Sequence, residues 1–117
     1  MIVGVIGAGT MGSGIAQTFA QNKNYTVKLV DVSNEFAANG KKKIERGFEK
    51  RIAKGKMTKE EAVDILSRIT TGTKDICTDC DLIVEAAFED IEVKETTFRE
   101  LMNIVPKDCI FTTNTSS

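Results

Sequence analysis

Short apolar runs alternate with longer stretches of helical periodicity along this chain. Residues 2–6 form an apolar run, which a glycine-rich turn and a predicted helix follow. A second apolar run at residues 27–30 ends at Asp31. This order of strand, helix and strand is the beginning of a βαβ unit. The apolar face of the helix, predicted to cover a sheet, is Met11, Ile15, Ala16 and Phe19.

Two helices are predicted between the second and third strands. Ser33 or Asn34 can cap the first, and Gly55 ends it. Thr58 and Glu61 have the spacing of a capping box that begins the second. The expected apolar positions are Phe36, Gly40, Ile44, Phe48 and Ile52 in the first helix, and Val63, Ile65, Leu66 and Ile69 in the second. The chain therefore inserts a helical hairpin into the plain βαβ plan.

Three further strands are predicted in the second half of the chain. A short one surrounds Gly72, a continuous apolar one occupies residues 82–84, and the last occupies residues 110–113. A helix ending before Pro106 lies between the last two. The continuous run is typical of a parallel sheet that is covered on both faces. The inward positions expected in this helix are Val93, Thr97, Phe98, Leu101 and Met102.

The turn after the first strand carries the pattern G-x-G-x-x-G. In this context Gly7 permits the tight turn, Gly9 lets the main chain approach a pyrophosphate, and Gly12 allows close packing of helix and strand. Free backbone N–H groups and the positive end of the helix dipole favour a diphosphate at the same point. The predicted dinucleotide-binding residues are Gly7, Ala8, Gly9, Thr10, Met11 and Gly12.

Asp31 indicates which dinucleotide is bound. It lies 19 residues after Gly12, close to the offset of a carboxylate that binds the adenosine ribose. Against a 2′-phosphate it would add a repulsion of about 4 kcal/mol per pair of unit charges at an effective dielectric near 20, before screening. The residues that follow, Val32 and Ser33, include no Arg to reverse this preference. These features favour NAD over NADP. The alternative to a dinucleotide site is a plain glycine turn with an Asp that caps a helix.

The predicted fold is therefore α/β, a Rossmann-type doubly wound parallel sheet with a helical hairpin after the second strand. A chain of 117 residues is about one domain, so residues 1–117 are expected to form one NAD-binding domain. With 41% hydrophobic and 28% charged residues, the composition excludes a disordered or fibrous class.

Overall charge points to no nucleic acid partner, because the net charge is −1. No apolar run approaches the roughly 20 residues that cross a bilayer, and no signal peptide is apparent, so a membrane location is not expected. The odd number of cysteines fits a reducing cytosol, and a cytoplasmic location is expected.

The three cysteines do not predict a metal site. Cys77 and Cys80 form a C-x-x-C pair, Cys109 is distant, and the chain has no histidine to complete a zinc site. A redox pair would be expected at the start of a helix, whereas Cys80 leads into an apolar strand. The favoured interpretation is small side chains at the beginning of a strand.

The first helix of the hairpin is strongly basic on its polar faces. Eight basic residues between 41 and 56 accompany only Glu45 and Glu49, a local charge of +6. Such a run is either a solvated helix face or a landing site for a phosphorylated substrate. Nucleic acid is less favoured, because no aromatic residues interleave with the cations.

Three segments together resemble one known family. VIGAGTMGSGIAQ at residues 5–17, DLIVEAA at 81–87 and NTSS at 114–117 look like the N-terminal domain of 3-hydroxyacyl-CoA dehydrogenases, and bacterial 3-hydroxybutyryl-CoA dehydrogenases in particular. The resemblance covers the whole chain and includes the lysine-rich hairpin. It implies reversible, NAD-linked oxidation of the 3-hydroxyl group of an acyl-CoA, in fatty acid or butanoate metabolism.

The resemblance also implies roles for residues outside the glycine turn. Glu89 and Lys94 match residues on the nicotinamide side of the cofactor, and Ser116 matches the catalytic serine that contacts both the substrate oxygen and the cofactor. The hairpin would hold coenzyme A, with Lys54 matching a family lysine at that ligand.

The chain departs from the family in having no histidine. The family uses a histidine, oriented by a glutamate, as the base, and an asparagine at the keto oxygen. The resemblance therefore implies a fragment without catalytic activity of its own, and a helical second domain through which the intact enzyme forms a homodimer. Alternatives are a 3-hydroxyisobutyrate or 6-phosphogluconate type of dehydrogenase, against which NTSS counts, and a non-catalytic NAD-binding module.

Overall fold

The structure, a computed structural model, describes residues 1–86 and 91–113, with side-chain surroundings for 1–86 and 95–112. Within this part of the chain the strands are β1 (Ile2–Ile6), β2 (Thr26–Val30), β3 (Ile69–Gly72), β4 (Leu82–Glu85) and β5 (Ile110–Thr113). The helices are α1 (Thr10–Ala20), α2 (Asn34–Ala53), α3 (Lys59–Ser67) and α4 (Ile91–Met102), with a short 3-10 helix at Lys74–Cys77.

The strands form one parallel sheet in the order β3-β2-β1-β4-β5. The chain moves outward from β1 to β3 and then returns to add β4 on the other side of β1. The strand order therefore reverses at β1, and ligands of such sheets bind at the carboxyl ends of the strands beside this point. One row of register partners runs across the sheet through Ile69, Val27, Val3, Leu82 and Ile110.

Each face of the sheet has its own apolar core. Val3 and Val5 of β1 point into a cluster with α1, α2 and α3, including Phe48. Ile6, near the end of the same strand, points into a second cluster that contains Leu101 of α4. Alternate residues of one strand thus reach opposite layers. The predicted doubly wound sheet with an inserted hairpin is confirmed.

The predicted helix boundaries after β2 are also confirmed. Ser33 Oγ accepts a hydrogen bond from the Phe36 N–H at 3.2 Å, and Thr58 Oγ1 accepts one from the Glu61 N–H at 3.1 Å. Gly55, one residue after the C-cap of α2, has φ +71°, a value that glycine adopts without a steric penalty. Local side-chain chemistry therefore determines where the hairpin helices begin and turn.

The predicted inner face of α1 is wrong at Met11, which is 50% exposed, and Ile15 and Phe19 are only partly buried. The fully buried positions are Gly12, Ser13, Ala16 and Ala20. The reason is the close approach of α1 to β1, which leaves no space for long side chains. A Cβ on Gly12 would overlap the carbonyl oxygen of Gly7.

Other predicted inward positions are exposed: Phe36, Val63 and Met102. A row spaced strictly by four residues drifts around a helix of 3.6 residues per turn. At the start of α2 the buried position is therefore Ala37. Ile69, which had been placed in the second hairpin helix, lies in β3, because α3 ends two residues earlier at Ser67.

Gly40 and Gly47 of α2 provide a matched test of this packing. A Cβ on Gly40 would lie 2.7 Å from Ala8 Cβ and 2.8 Å from the Ala8 carbonyl oxygen, whereas one on Gly47 meets nothing within 4 Å. We expect Gly47→Ala to stabilise the protein by up to about 1 kcal/mol through helix propensity. Gly40→Ala should destabilise it by about 1–3 kcal/mol through overpacking. Urea unfolding measures both, and equal effects would contradict the packing described.

Candidate dinucleotide site

The turn between β1 and α1 is built on a backbone conformation that requires glycine. Gly7 has φ +107°, outside the range that residues with a Cβ readily adopt. Its N–H donates to the carbonyl oxygen of Val30 at 2.7 Å, which joins the turn to the end of β2. The assignment of Gly7 to the tight turn thus has a direct structural basis.

Gly9 differs from Gly12 and Gly40 in what surrounds it. A Cβ on Gly9 would meet nothing within 4 Å, so the protein itself does not explain a glycine there. Gly9 is the N-cap of α1, and no side chain among the described residues caps this end. The following N–H groups, from Thr10 to Gly12, belong to the set that an α-helix leaves without an intrahelical partner. Gly9 therefore opens a path for an anion to the helix terminus.

The Asp31 carboxylate faces this turn. Its Oδ2 accepts a hydrogen bond from the Ala8 N–H at 2.8 Å, and its Oδ1 accepts one from the Val32 N–H at 2.7 Å. Each carboxylate oxygen can accept more than one hydrogen bond, so both retain capacity for hydroxyl donors. Asp31 is thus oriented by the backbone and available to a ribose.

Two cavities flank Asp31. One, of about 300 Å³, is walled by Val30, Val32 and the segment 73–75, at the carboxyl ends of β2 and β3. The other, of about 360 Å³, lies between Gly9 and α2. The carboxylate therefore lies between a crevice of mixed polar and apolar walls on one side and the open side of the glycine turn on the other.

The second cavity contains cations that the sequence analysis did not assign to the cofactor site. Lys42, Lys43 and Arg46 line it together with Gly9 and Asp31. No cation directly follows Asp31 in the sequence, and α2 brings these three from 11 or more positions away. Their spacing of three and four residues was the available signal, because it places side chains on one helix face.

Lys54 is not among the residues that line this cavity. It is the exposed C-cap of α2, eight residues after Arg46, or about 12 Å along a helix axis. The predicted coenzyme A lysine therefore lies at the C-terminal end of the basic helix, whereas the three cations of this cavity lie in its middle. Glu85 is a further residue that no sequence motif singled out. It is a fully buried carboxylate at the end of β4, paired in register with Ile6.

The remaining predicted site residues are not tested by the structure. Glu89 and Ser116 lie outside the described residues, and Lys94 lies in α4 with its side chain outside the described set. Among the described residues, no group of three or more His, Cys, Asp or Glu side chains could hold a metal ion. None of the helices in that part of the chain combines the length and the apolar character that a membrane span needs.

The open space at Gly9, the uncapped start of α1 and the oriented Asp31 carboxylate fit a dinucleotide. The family model described as "3-hydroxyacyl-CoA dehydrogenase, NAD binding domain" matches residues 2–117. The chain belongs to this family. The family resemblance noted in the sequence is thereby confirmed, and NAD is the cofactor of the domain.

Individual relatives agree with this family. A probable 3-hydroxybutyryl-CoA dehydrogenase of Deinococcus radiodurans is 44% identical over 119 residues, which cover 100% of this chain and 42% of that protein. A 3-hydroxyadipyl-CoA dehydrogenase of Escherichia coli is 39% identical over 98% of this chain and 24% of that protein. The chain thus spans less than half the length of these relatives.

A solved structure shows the same fold. The crystal structure of (S)-3-hydroxybutyryl-CoA dehydrogenase from Ralstonia eutropha matches with a TM-score of 0.92 and 34% identity. The match covers 99% of this chain and 41% of that one. The parallel sheet with its inserted hairpin is therefore the architecture of this 3-hydroxyacyl-CoA dehydrogenase domain.

Gly9 and Gly14 allow the cofactor role of the turn to be separated from its structural role. Neither position has an atom within 4 Å of an added Cβ, so the fold should tolerate alanine at both. We expect Gly9→Ala to weaken NADH binding by tenfold or more, because its methyl group would occupy the path to the helix terminus. Gly14→Ala should leave binding unchanged. Fluorescence titration with NADH, beside thermal unfolding of both variants, measures the difference, and equal affinities would contradict the role of Gly9.

Proposed function

We propose that residues 1–117 form the cofactor half of an enzyme that oxidises (S)-3-hydroxyacyl-CoA, 3-hydroxybutyryl-CoA in particular, to 3-ketoacyl-CoA, and catalyses the reverse reaction. The activity belongs to fatty acid or butanoate metabolism. The observation that carries the proposal is the cradle of Gly9 and Asp31 at the switch point, in a chain of the 3-hydroxyacyl-CoA dehydrogenase family.

NAD, when bound, supplies the hydride acceptor of this reaction. The backbone from Gly7 to Gly12 would hold the pyrophosphate, and Asp31 would accept hydrogen bonds from the adenosine ribose. The crevice beside Val32 would hold the adenine, since its walls include Ile6, Val30 and Val32. Glu89 and Lys94 would lie on the nicotinamide side.

The substrate would contact the chain at two places. Lys54, on the basic helix α2, would attract the phosphates of coenzyme A. Ser116 would donate a hydrogen bond to the reacting oxygen, and it would stabilise charge there without attacking the substrate. Ser116 would also contact the cofactor.

Proton transfer requires a group that this chain does not contain. A base with a pKa near the working pH is needed for the 3-hydroxyl proton, and histidine is the natural candidate, but the sequence has none. The relatives are more than twice as long as the chain. We therefore assign the base to a second, helical domain of a longer protein, which also forms the homodimer. A cytoplasmic location is part of this proposal.

The role of Asp31 predicts a change in cofactor preference. Both Asp31→Ala and Asp31→Asn remove the negative charge beside the 2′ position, and Lys42, Lys43 and Arg46 then face the cavity without an opposing carboxylate. We expect the ratio of NADH to NADPH affinity to fall by tenfold or more in both variants. Asp31→Asn keeps an acceptor for the Ala8 N–H, so it controls for loosening of the turn. An unchanged ratio would refute the assigned role.

The proposed activity is tested by titrating NADH and acetoacetyl-CoA into this chain and into the longer protein, followed by assays of both. We expect cofactor binding by the chain alone and turnover only by the longer protein.

Lys54→Glu in the longer protein should raise the KM for acetoacetyl-CoA by tenfold or more and leave the KM for NADH nearly unchanged. Lys23→Glu, the same charge change at an exposed site after α1, is the control. Turnover by residues 1–117, or equal effects of the two variants, would contradict the proposal.

A further inference from the structure

Two cysteine side chains lie together beneath the sheet, away from the cofactor turn. Cys77 ends the 3-10 helix, Cys80 comes shortly before β4, and both are fully buried free thiols. A Cβ placed on Gly4 of β1 would lie 3.0 Å from the Cys80 Sγ and 3.3 Å from the Cys77 Sγ. The Ile83 Cδ1 atom would lie still closer, at 2.7 Å, so both sulfur atoms and Ile83 pack into the space that the absence of a side chain at Gly4 leaves open.

The backbone between the two cysteines is compatible with a disulfide. The Cys80 N–H donates to the Cys77 carbonyl oxygen at 3.2 Å, so residues 77–80 form a hydrogen-bonded turn. The ends of such a turn lie less than about 7 Å apart at Cα. Disulfides join Cα atoms separated by about 4.4–6.8 Å. The turn therefore brings the two Cα atoms close to the separation that a disulfide requires.

The surroundings distinguish the two thiols. Interaction between the two sulfur atoms raises the pKa of Cys77 and lowers the pKa of Cys80. The Lys28 ammonium group lowers the pKa of Cys80 further, against the opposing effects of burial and of the Asp79 and Asp81 carboxylates. Lys28 is held in place by a 2.6 Å hydrogen bond to the Ile76 carbonyl oxygen and by an ion pair with Asp79.

Cys109, in the same apolar cluster, has the opposite character. Burial, followed by the charges of Cys80 and Asp81, raises the pKa of Cys109 to about 11. It therefore remains a neutral thiol near pH 7, and the thiolate is the reactive form of cysteine. Of the three cysteines, Cys80 has the surroundings that favour a thiolate.

We propose that Cys77 and Cys80 form a reversible redox site, which peroxides oxidise to a disulfide and thiol reductants restore. The Cys80 thiolate attacks one oxygen of hydrogen peroxide, the O–O bond breaks, and Cys80 sulfenic acid and water form with uptake of a proton. Cys77 then attacks the Cys80 sulfur, the S–O bond breaks, and a second water leaves. The two thiols lose two electrons and two protons in total, and one peroxide is reduced to two waters.

Access to the pair is through the turn that connects the two cysteines. Thr78 and Asp79, its central residues, are exposed, whereas Cys77 and Cys80 on either side of them are buried. A small oxidant would reach the sulfur atoms by local opening of this turn. From the sequence, Cys77 and Cys80 are expected to be inert small side chains, because a redox pair usually lies at the start of a helix and Cys80 leads into a strand. The sequence pattern did not reveal that both sulfur atoms pack against Gly4, or that a hydrogen-bonded turn joins the two cysteines.

The test uses hydrogen peroxide on the folded protein at pH 7, followed by alkylation of the remaining thiols, trypsin digestion and mass spectrometry. Cys77 and Cys80 fall in one tryptic peptide, residues 75–94, and Cys109 falls in another. We expect the first peptide to lose two hydrogen atoms and to escape alkylation, and Cys109 to be alkylated. Dithiothreitol should restore alkylation of both cysteines. This measurement needs no substitution that could disturb folding.

Three variants complete the experiment. Cys109→Ser should leave formation of the disulfide unchanged, whereas Cys77→Ser and Cys80→Ser should abolish it. A bond between Cys80 and Cys109, irreversible oxidation of Cys80, or a disulfide that forms only after denaturation would overturn the proposal. So would full alkylation of residues 75–94 after peroxide treatment.

Discussion

The structure depends on the close approach of two helices to the main chain of the turn after β1. Gly12 of α1 and Gly40 of α2 each leave no space for a Cβ against this turn, the first at the Gly7 carbonyl group and the second at Ala8. A glycine inside a helix costs about 1 kcal/mol relative to alanine. The chain accepts this cost twice, because a closely packed turn positions the start of α1 and the end of β2 relative to each other.

The electrostatics of the site follow from this packing. The turn presents the Ala8 N–H to Asp31, and that hydrogen bond holds the carboxylate where a ribose would bind. The contact at Gly40 brings the basic face of α2 over the same turn, so that Lys43 and Arg46 share a cavity with Gly9 and Asp31. The negative charge of Asp31 and the positive charges of α2 thus line one cavity as the result of one packing arrangement. A nucleotide with phosphates on one side of its ribose matches this distribution.

Much of the fold could be predicted because the signals are local. Ser33 and Thr58 cap helices through hydrogen bonds to residues three positions away, and the apolar strand at β4 needs no knowledge of its neighbours to be identified. Prediction is less accurate where burial depends on the distance between elements. Met11 was placed inside because it is apolar, but α1 lies too close to the sheet to cover a long side chain, and the buried positions hold glycine, serine and alanine.

The sequence by itself determined the order of strands and helices, the glycine turn, the position of Asp31 and the resemblance to the 3-hydroxyacyl-CoA dehydrogenases. Each of these depends on residues close together in the chain or on a motif with fixed spacing. Only the tertiary structure decided that Lys43 and Arg46 line one cavity with Asp31, and that Cys77 and Cys80 both pack against Gly4. These contacts join segments that are distant along the chain, and they arise from the crossing of helices over a sheet, which periodicity does not encode.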